Sequence, residues 1–377
     1  MGKKQAKEKL TLENLTVDDF TKLIVKPKKN NALIFADWAF QLGVLSNERA
    51  FGFNRQVRQK LKNGHPEEQG KVTAICECGN TIKFVTNEDK SKKHLNNARF
   101  CHWRFCALCA WRLSLKRTFV TKVVLTRLSN LSFRFLFVTL TAPNVKAEDL
   151  SDEITRLNEA WSRMTKRKKY KDLIVGGIRK IEVTYNSKTD TYHPHLHIVL
   201  CVEKSYFKRG SKRVGEKVEN YYPNMIMFEE WQSDWQQALR DKRAEQINVQ
   251  AISSNPKKLA KAIAEISKYS AKDSEMVQDK KVFEAMYFGM KGKRLFSPFG
   301  LMKKLFREFE ADPNSFSDCF EMREPEEWVY KIMQDWNSQT QSYETQGYQK
   351  MSAKEILEAN QRYVGFVTEG LNVEDEK

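Results

Sequence analysis

The chain has 377 residues, 41% of them hydrophobic, with only 16 glycines and 9 prolines. That is enough apolar material for a packed core, and it excludes wholesale disorder and collagen-like or proline-rich classes. Lys and Arg number 65 against 48 Asp and Glu, a formal net charge of +17, and about 9 basic and 16 acidic side chains after residue 300 leave about +24 on the rest. A basic surplus of this size points to a polyanionic partner. Nucleic acid fits best, because each phosphate neutralised releases counterions, and there is no basic amphipathic anchor helix to suit an anionic membrane. No run of about 18 apolar residues occurs, and the lysine-rich amino terminus lacks an apolar stretch. Neither a spanning helix nor a secretory signal is therefore predicted, and the expected location is the cytoplasm.

In chain order, residues 1–70 read as a polar, helical or irregular region, with the basic stretch Lys26, Lys28, Lys29 and a short helix near residues 36–45. Residues 71–120 hold five of the seven cysteines. The run Arg134–Thr141 is β-branched and aromatic and stops at Pro143, so it reads as a strand and turn. Residues 148–169 have helical periodicity and end in a basic cluster that includes Lys166, Arg167, Lys168 and Lys169. Two strands follow at 178–185 and 192–202 across a polar turn, then a helix over 228–243 and a short strand at Ile247–Ile252. Pro256 after Ser254 and Asn255 starts a helix expected to reach about residue 271. Residues 296–377 form an acidic tail expected to be helical, and residues 121–295 make up the main body.

Three of the six histidines lie in His193-Pro-His195-Leu-His197. On a strand, His195 and His197 project from one face while Leu196, Ile198 and Leu200 enter a core on the other. A hairpin turn centred between Lys188 and Thr189 sets Glu182 opposite His195 on that same face. His195, His197 and Glu182 are therefore the expected ligands of a divalent metal, with His193 the alternative to Glu182; imidazole also suits Zn²⁺ or Cu²⁺. On the later helix, Glu265 and Tyr269 are four residues apart and share a face, with Lys272 three further on and Lys268 beside them. A tyrosine hydroxyl near a metal and a phosphate is a competent nucleophile, and a glutamate one turn away can take its proton.

The cysteine array is Cys76, Cys78, Cys101, Cys106 and Cys109. Cys106-x₂-Cys109 has metal-knuckle spacing, which in a cytosolic protein indicates metal rather than disulfide. Nearby Trp103, Arg104, Trp111, Arg112, Lys116 and Arg117 interleave aromatic and basic groups, a composition suited to DNA contact. Cys201 and Cys319 read as isolated free thiols.

Taken in order, Phe137-Val-Thr-Leu-Thr141, His193-Pro-His195-Leu-His197 and Tyr269-Ser-Ala-Lys272 resemble the HUH endonucleases, specifically the rolling-circle replication initiators of small plasmids of Gram-positive bacteria. The resemblance covers about residues 75–290. Glu265 before Tyr269 is similar to the subgroup that pairs one nucleophilic tyrosine with a glutamate. The resemblance implies an α+β HUH fold, with a central antiparallel sheet related to ferredoxin-like and RNA-recognition folds, flanked by helices and joined by a small cysteine zinc module. It implies Mg²⁺ or Mn²⁺ on His195, His197 and Glu182, and attack by Tyr269 on single-stranded or hairpin origin DNA to leave a 5′-phosphotyrosine and a free 3′-OH. Glu265 would activate water or accept a proton, and Lys272 would offset phosphate charge. It favours Cys78, Cys101, Cys106 and Cys109 as a structural Zn²⁺ site, with Cys76 the rival for the first position. Lys166, Arg167, Lys168, Lys169, Arg112 and Lys268 are the candidate DNA contacts, and a host replicative helicase and polymerase are the implied partners. A single-strand transposase, a relaxase and a non-enzymatic zinc-containing DNA-binding protein are the alternatives.

Overall fold

The computed structural model describes residues 15–41, 77–214, 217–252, 256–268, 270–319 and 328–362. A helical turn at Val17–Phe20 leads through Thr21–Val25 into α1 (Lys26–Gln41). Then come β1 (Thr81–Thr86), β2 (Lys93–Ala98), the long α2 (Ala107–Asn130) and β3 (Arg134–Thr141). Next are α3 (Leu150–Thr165), α4 (Lys168–Leu173), β4 (Ile174–Asn186) and β5 (Thr191–Val202). The hairpin β6 (Gly210–Val214) and β7 (Lys217–Tyr221) precedes α5 (Phe228–Leu239), β8 (Ile247–Ile252) and α6 (Pro256–Ser267). The chain continues through α7 (Lys280–Met290), β9 (Phe296–Phe299) and α8 (Gly300–Ala311) to β10 (Tyr330–Asn337), β11 (Ser342–Lys350) and α9 (Ala353–Arg362). The expected α+β class with antiparallel sheets is what is seen. Among the described residues, no helix is long and apolar enough to cross a membrane.

Two compact units result, one from Met1–Leu115 with Met322–Lys377 and the other from Lys116–Glu321. The second is built on a five-stranded antiparallel sheet of order β8-β3-β5-β4-β9. On its two central strands one face is apolar: Leu136, Val138 and Leu140 on β3 lie beside Leu196, Ile198 and Leu200 on β5, all buried. Helix α3 packs on β5, its buried residues Leu150, Ile154, Leu157, Trp161 and Met164 recurring every three or four positions as an amphipathic helix on a sheet requires. The other face changes character along its length. Phe135, Ile178, Val199 and Cys201 join a core with Ile263 and Ile266 of α6 and Met302 and Leu305 of α8. Beyond them that face turns polar.

In the first unit a four-stranded antiparallel sheet has the order β11-β10-β1-β2. The hairpin of β10 and β11 is a departure from expectation, since residues 330–350 were expected to be helical and form two strands instead. Alternation explains it: Ile332 and Gln334 point inward and are buried while their neighbours are more exposed. Other differences are smaller. Helix α1 starts at Lys26 rather than near Ala36, and it carries Lys29 into a buried position. The helix expected over 148–169 is interrupted where Arg167 adopts an extended backbone. Helix α5 stops at Leu239 because Arg240 takes the left-handed conformation, φ 58°.

Candidate metal centre and the helix beside it

The β4–β5 hairpin has the anticipated register: Tyr185 opposes Tyr192, Glu182 opposes His195 and Lys180 opposes His197. On the other side of β5, Thr139 opposes His197 and Thr141 opposes His195. Cross-strand partners share a face, so six polar side chains converge on the polar end of the sheet. Glu182, His195 and His197 are all buried. One donor atom from each lies within 4.8 Å of the others, with His195 Nε2 3.1 Å from His197 Nε2 and His197 Nε2 3.6 Å from Glu182 Oε2.

These contacts fit a cation. His195 Nδ1 is 3.1 Å from the His193 carbonyl, which can only accept, so Nδ1 carries the proton and Nε2 presents a lone pair. His197 Nδ1 lies 3.2 Å from Thr139 Oγ1, whose hydroxyl can accept the same way. Two lone pairs that close repel unless a positive charge lies between them. Donors on metal–ligand bonds of about 2.1 Å sit about 3.0 Å apart in octahedral and about 3.4 Å in tetrahedral geometry. His193, the alternative third ligand, is engaged elsewhere: Nδ1 lies 2.8 Å from Asn144 Oδ1, and its ring stacks on His195 with centroids 5.2 Å apart.

Electrostatics keep the set ready to ligate. Burial, reinforced by the proximity of a second imidazole, pushes His197 down to about 4, so it is neutral at pH 7. Burial alone would raise the Glu182 carboxyl, but the charge and hydrogen bond of Lys180 outweigh it and hold the acid below its ordinary value. Lys180, which sequence reading missed, is 1% exposed. Its Nζ donates to Glu182 Oε2 at 2.7 Å and to the Glu265 carbonyl at 2.9 Å. A lysine two residues before a glutamate on a strand shares its face, which is the one signal that could have found it.

Helix α6 lies over the polar end. Glu265 Oε1 is 3.5 Å from His197 Nε2, while Oε2 pairs with Lys268 at 3.3 Å. The helix begins at Pro256 as anticipated but ends at Ser267, with one further backbone bond from Lys268 N–H to the Ala264 carbonyl. The expected continuous face therefore does not extend to Lys272, whose extended backbone precedes the turn Asp273–Met276 and whose exposed amine is 3.8 Å from Glu275 Oε1. Tyr269 lies outside the described residues. Of its chain neighbours, Lys268 is tied to Glu265, and the Ser270 carbonyl accepts from Val183 N–H at 2.7 Å, next to Glu182.

In the first unit, Cys78, Cys101, Cys106 and Cys109 converge. Cys78 Sγ is 3.7 Å from Cys106 and 3.5 Å from Cys109, which is 3.5 Å from Cys101. Tetrahedral metal–sulfur bonds of about 2.3 Å would separate the sulfurs by about 3.8 Å, so the cluster needs almost no adjustment to hold Zn²⁺. The Cys101 N–H points to Cys78 Sγ and the Trp103 N–H to Cys101 Sγ. Hydrogen bonds from neighbouring thiols pull Cys109 and Cys78 down and push Cys101 and Cys106 up, so the four do not ionise together without a cation. Gly79, at φ 65°, makes the turn after Cys78, and a Cβ there would strike the Leu108 side chain. Cys76 lies outside the described residues. Buried Lys29, also missed in the sequence, donates to the Cys78 carbonyl at 2.5 Å and to Asn80 Oδ1 at 2.8 Å. Cys201 and Cys319 are buried free thiols.

The candidate DNA contacts divide. Lys166 and Lys168 are exposed, but Arg167 and Lys169 form ion pairs with Asp234, Lys169 also reaching Glu230, and Tyr170 donates to Asp234 at 2.8 Å. Those two cations fasten α4 to α5, which removes them from a free basic face. Arg112 is exposed, with its guanidinium 4.4 Å from the Phe100 ring centroid. Trp111 is buried against Phe20 and is a core residue.

The model of a family described as "Replication protein" matches residues 92–344. The chain belongs to that replication-protein family. Among its relatives, a "Protein rep" of Streptococcus pneumoniae is 30% identical over 71% of this chain and 81% of its own length. A "Protein rep" of Staphylococcus aureus is 35% identical over 60% of this chain and 92% of its own length, and one of Bacillus amyloliquefaciens is 28% identical over 74% and 86%. No solved structure matches the chain. The family match spans the histidine strand, α6 and three of the four clustered cysteines.

Proposed function

We propose that this member of the replication-protein family is a plasmid replication initiator that nicks one strand of its origin and transfers it through a 5′-phosphotyrosine, in the manner of HUH endonucleases. The observation that carries the reading is the Glu182, His195 and His197 cluster, facing Glu265 on the helix that leads to Tyr269. Glu182, His195 and His197 would hold a divalent cation, Mg²⁺ or Mn²⁺, which would supply Lewis-acid charge to the scissile phosphate. The Tyr269 oxygen attacks phosphorus in line, the bond to the 3′ oxygen breaks, and the 5′ phosphate stays on the tyrosine while the 3′ oxygen takes a proton from solvent and leaves as the 3′-OH that primes synthesis. Glu265, partly exposed beside His197, accepts the tyrosine proton or later deprotonates water. Lys272, three residues past Tyr269, offsets phosphate charge. Exposed Lys166, Lys168 and Arg112 suit the DNA backbone. Cys78, Cys101, Cys106 and Cys109 hold a structural Zn²⁺, and a host helicase and polymerase act after the nick.

The test is incubation with Mn²⁺ and a single-stranded oligonucleotide carrying the parent replicon's nick site, followed by a denaturing gel. A covalent protein–DNA band with wild type, absent in Tyr269→Phe, is expected. No band from folded, metal-loaded wild type would overturn the nicking reading and favour a non-enzymatic DNA-binding protein.

A further inference from the structure

The hairpin of β6 and β7 takes no part in the five-stranded sheet: it is a separate two-stranded ribbon. The chain leaves β5 at Val202, roughly 17 Å along the strand from His197 at about 3.3 Å per residue, and reaches the ribbon at Gly210 through a turn at Lys204–Phe207. The ribbon is not a loose loop. At its base Tyr206 is buried, its hydroxyl accepts from Ile226 N–H at 3.3 Å, and Asn224 Nδ2 donates to the Ser205 carbonyl at 3.0 Å. The outgoing and returning chains are thus fastened together. Within the ribbon Gly210 opposes Tyr221, and a Cβ at 210 would meet that ring at 2.9 Å, so the glycine lets the tyrosine lie across the strand and stiffen the arm.

Residues 208–221 carry five basic side chains against two acidic ones. Lys208 and Arg209 precede the arm, Lys212 and Arg213 lie on it, and all four are exposed. Among the described residues no carboxylate pairs with Arg209 or Arg213. Ser211 opposes Asn220, and alternation sets Arg213 on the same face as Ser211, so one face presents exposed Ser211, Arg213 and Asn220. Arg and Asn are the side chains whose paired hydrogen-bonding groups match guanine and adenine edges in the major groove. That groove, about 12 Å wide, admits a two-stranded ribbon, and strands of this length, about 17 Å, span about five base pairs.

We propose that the β6–β7 ribbon is a sequence-reading arm for duplex DNA, separate from the nicking centre, with Ser211, Arg213 and Asn220 facing base edges and Lys208 and Arg209 on the flanking phosphates. This rests on DNA being the substrate, but not on the nicking chemistry. The arm would hold duplex origin while the cation centre acts on an unpaired segment, a division of labour that lets one chain find its origin and cut it.

The test uses full-length protein and labelled duplexes of the parent origin and of a scrambled sequence, with affinity measured by anisotropy across a salt series. Single-stranded nicking is followed alongside. Arg213→Ala with Asn220→Ala should cut the preference for origin over scrambled duplex about tenfold or more, and Arg213→Lys, which keeps the charge but loses the fork, should lose most of the same preference. Lys208→Ala with Arg209→Ala should weaken both duplexes alike and reduce the salt slope by about 2. All should nick the single-stranded oligonucleotide like wild type. Duplex affinity and preference unchanged in every variant, or no duplex binding by wild type, would overturn the proposal. A loss of nicking in wild type would overturn the proposed function instead and leave the duplex result readable.

Discussion

Lys180 is a cation beside the candidate cation site. It donates to Glu182 Oε2, the same oxygen that lies 3.6 Å from His197 Nε2, so it keeps the carboxylate ionised and fixed. Lys180→Met is expected to weaken Mn²⁺ binding about tenfold or more, as loss of an outer-shell partner does, and Lys180→Arg should recover part of it; titration by electron paramagnetic resonance reads both. Unchanged affinity in the methionine variant would reduce Lys180 to packing. His94 offers a separate handle in the other unit. Burial pushes its imidazole down to about 4, and its ring stacks on Trp328 with centroids 6.0 Å apart. The folded pKa is depressed, so the unfolded chain binds more protons. The stabilisation is complete above about 6.5 and is lost as pH falls toward 4, by about 3 kcal/mol. Denaturant midpoints across that window should fall for wild type and fall less for His94→Phe.

At the scale of elements, α6 joins the tyrosine segment to the sheet. Its buried Ile263 and Ile266 seat it on the core, and Lys180 binds its Glu265 carbonyl, so the Glu265 side chain is presented to His197 by both packing and a hydrogen bond. Glu265→Gln keeps the shape but cannot take a proton. Covalent adduct is expected to form in this variant and to persist, with strand release slowed by about 10²-fold, followed as decay of the band after a chase. Adduct that decays at the wild-type rate would assign proton transfer to another group. Among the strands, β4 and β5 make the longest pairing, and their register brings the acid and the imidazoles together.

For the whole molecule, the consequential fact is that one unit is assembled from both ends of the chain. Strand β1 is central in its sheet only because β10 pairs with it across some 250 residues. The same C-terminal segment braces the cysteine loop: Tyr343 donates to the Gly79 carbonyl at 2.6 Å, and Trp336 N–H to the Asn80 carbonyl at 2.7 Å. Ending the chain at residue 321 should therefore expose β1 as an edge, promote aggregation and lower bound zinc below one equivalent per chain. Residues 116–321, whose sheet is complete without the tail, should still bind Mn²⁺. Metal analysis and size-exclusion chromatography distinguish this from a tail that is merely an appendage.

Alternation with a period of two and a short polar turn determined, from sequence alone, that Glu182 meets His195, because register in a hairpin is a local property. For the same reason β3 and β8 occupy the residues anticipated, and three cysteines within nine positions announced their cluster. What alternation could not reveal was anything depending on distant partners. The strands of the tail are legible only beside β1, Arg167 and Lys169 read as free cations until Asp234 arrives from α5, and Lys29 and Lys180 read as surface charges until their acceptors close around them. Helix α6 stops short of Lys272 for a related reason: near Ser270 the backbone finds its hydrogen bond on β4 rather than within its own turn. Local periodicity sets which face a side chain takes; only the folded chain decides what that face meets, since charge pairing and strand pairing are energies of contact between segments far apart in sequence.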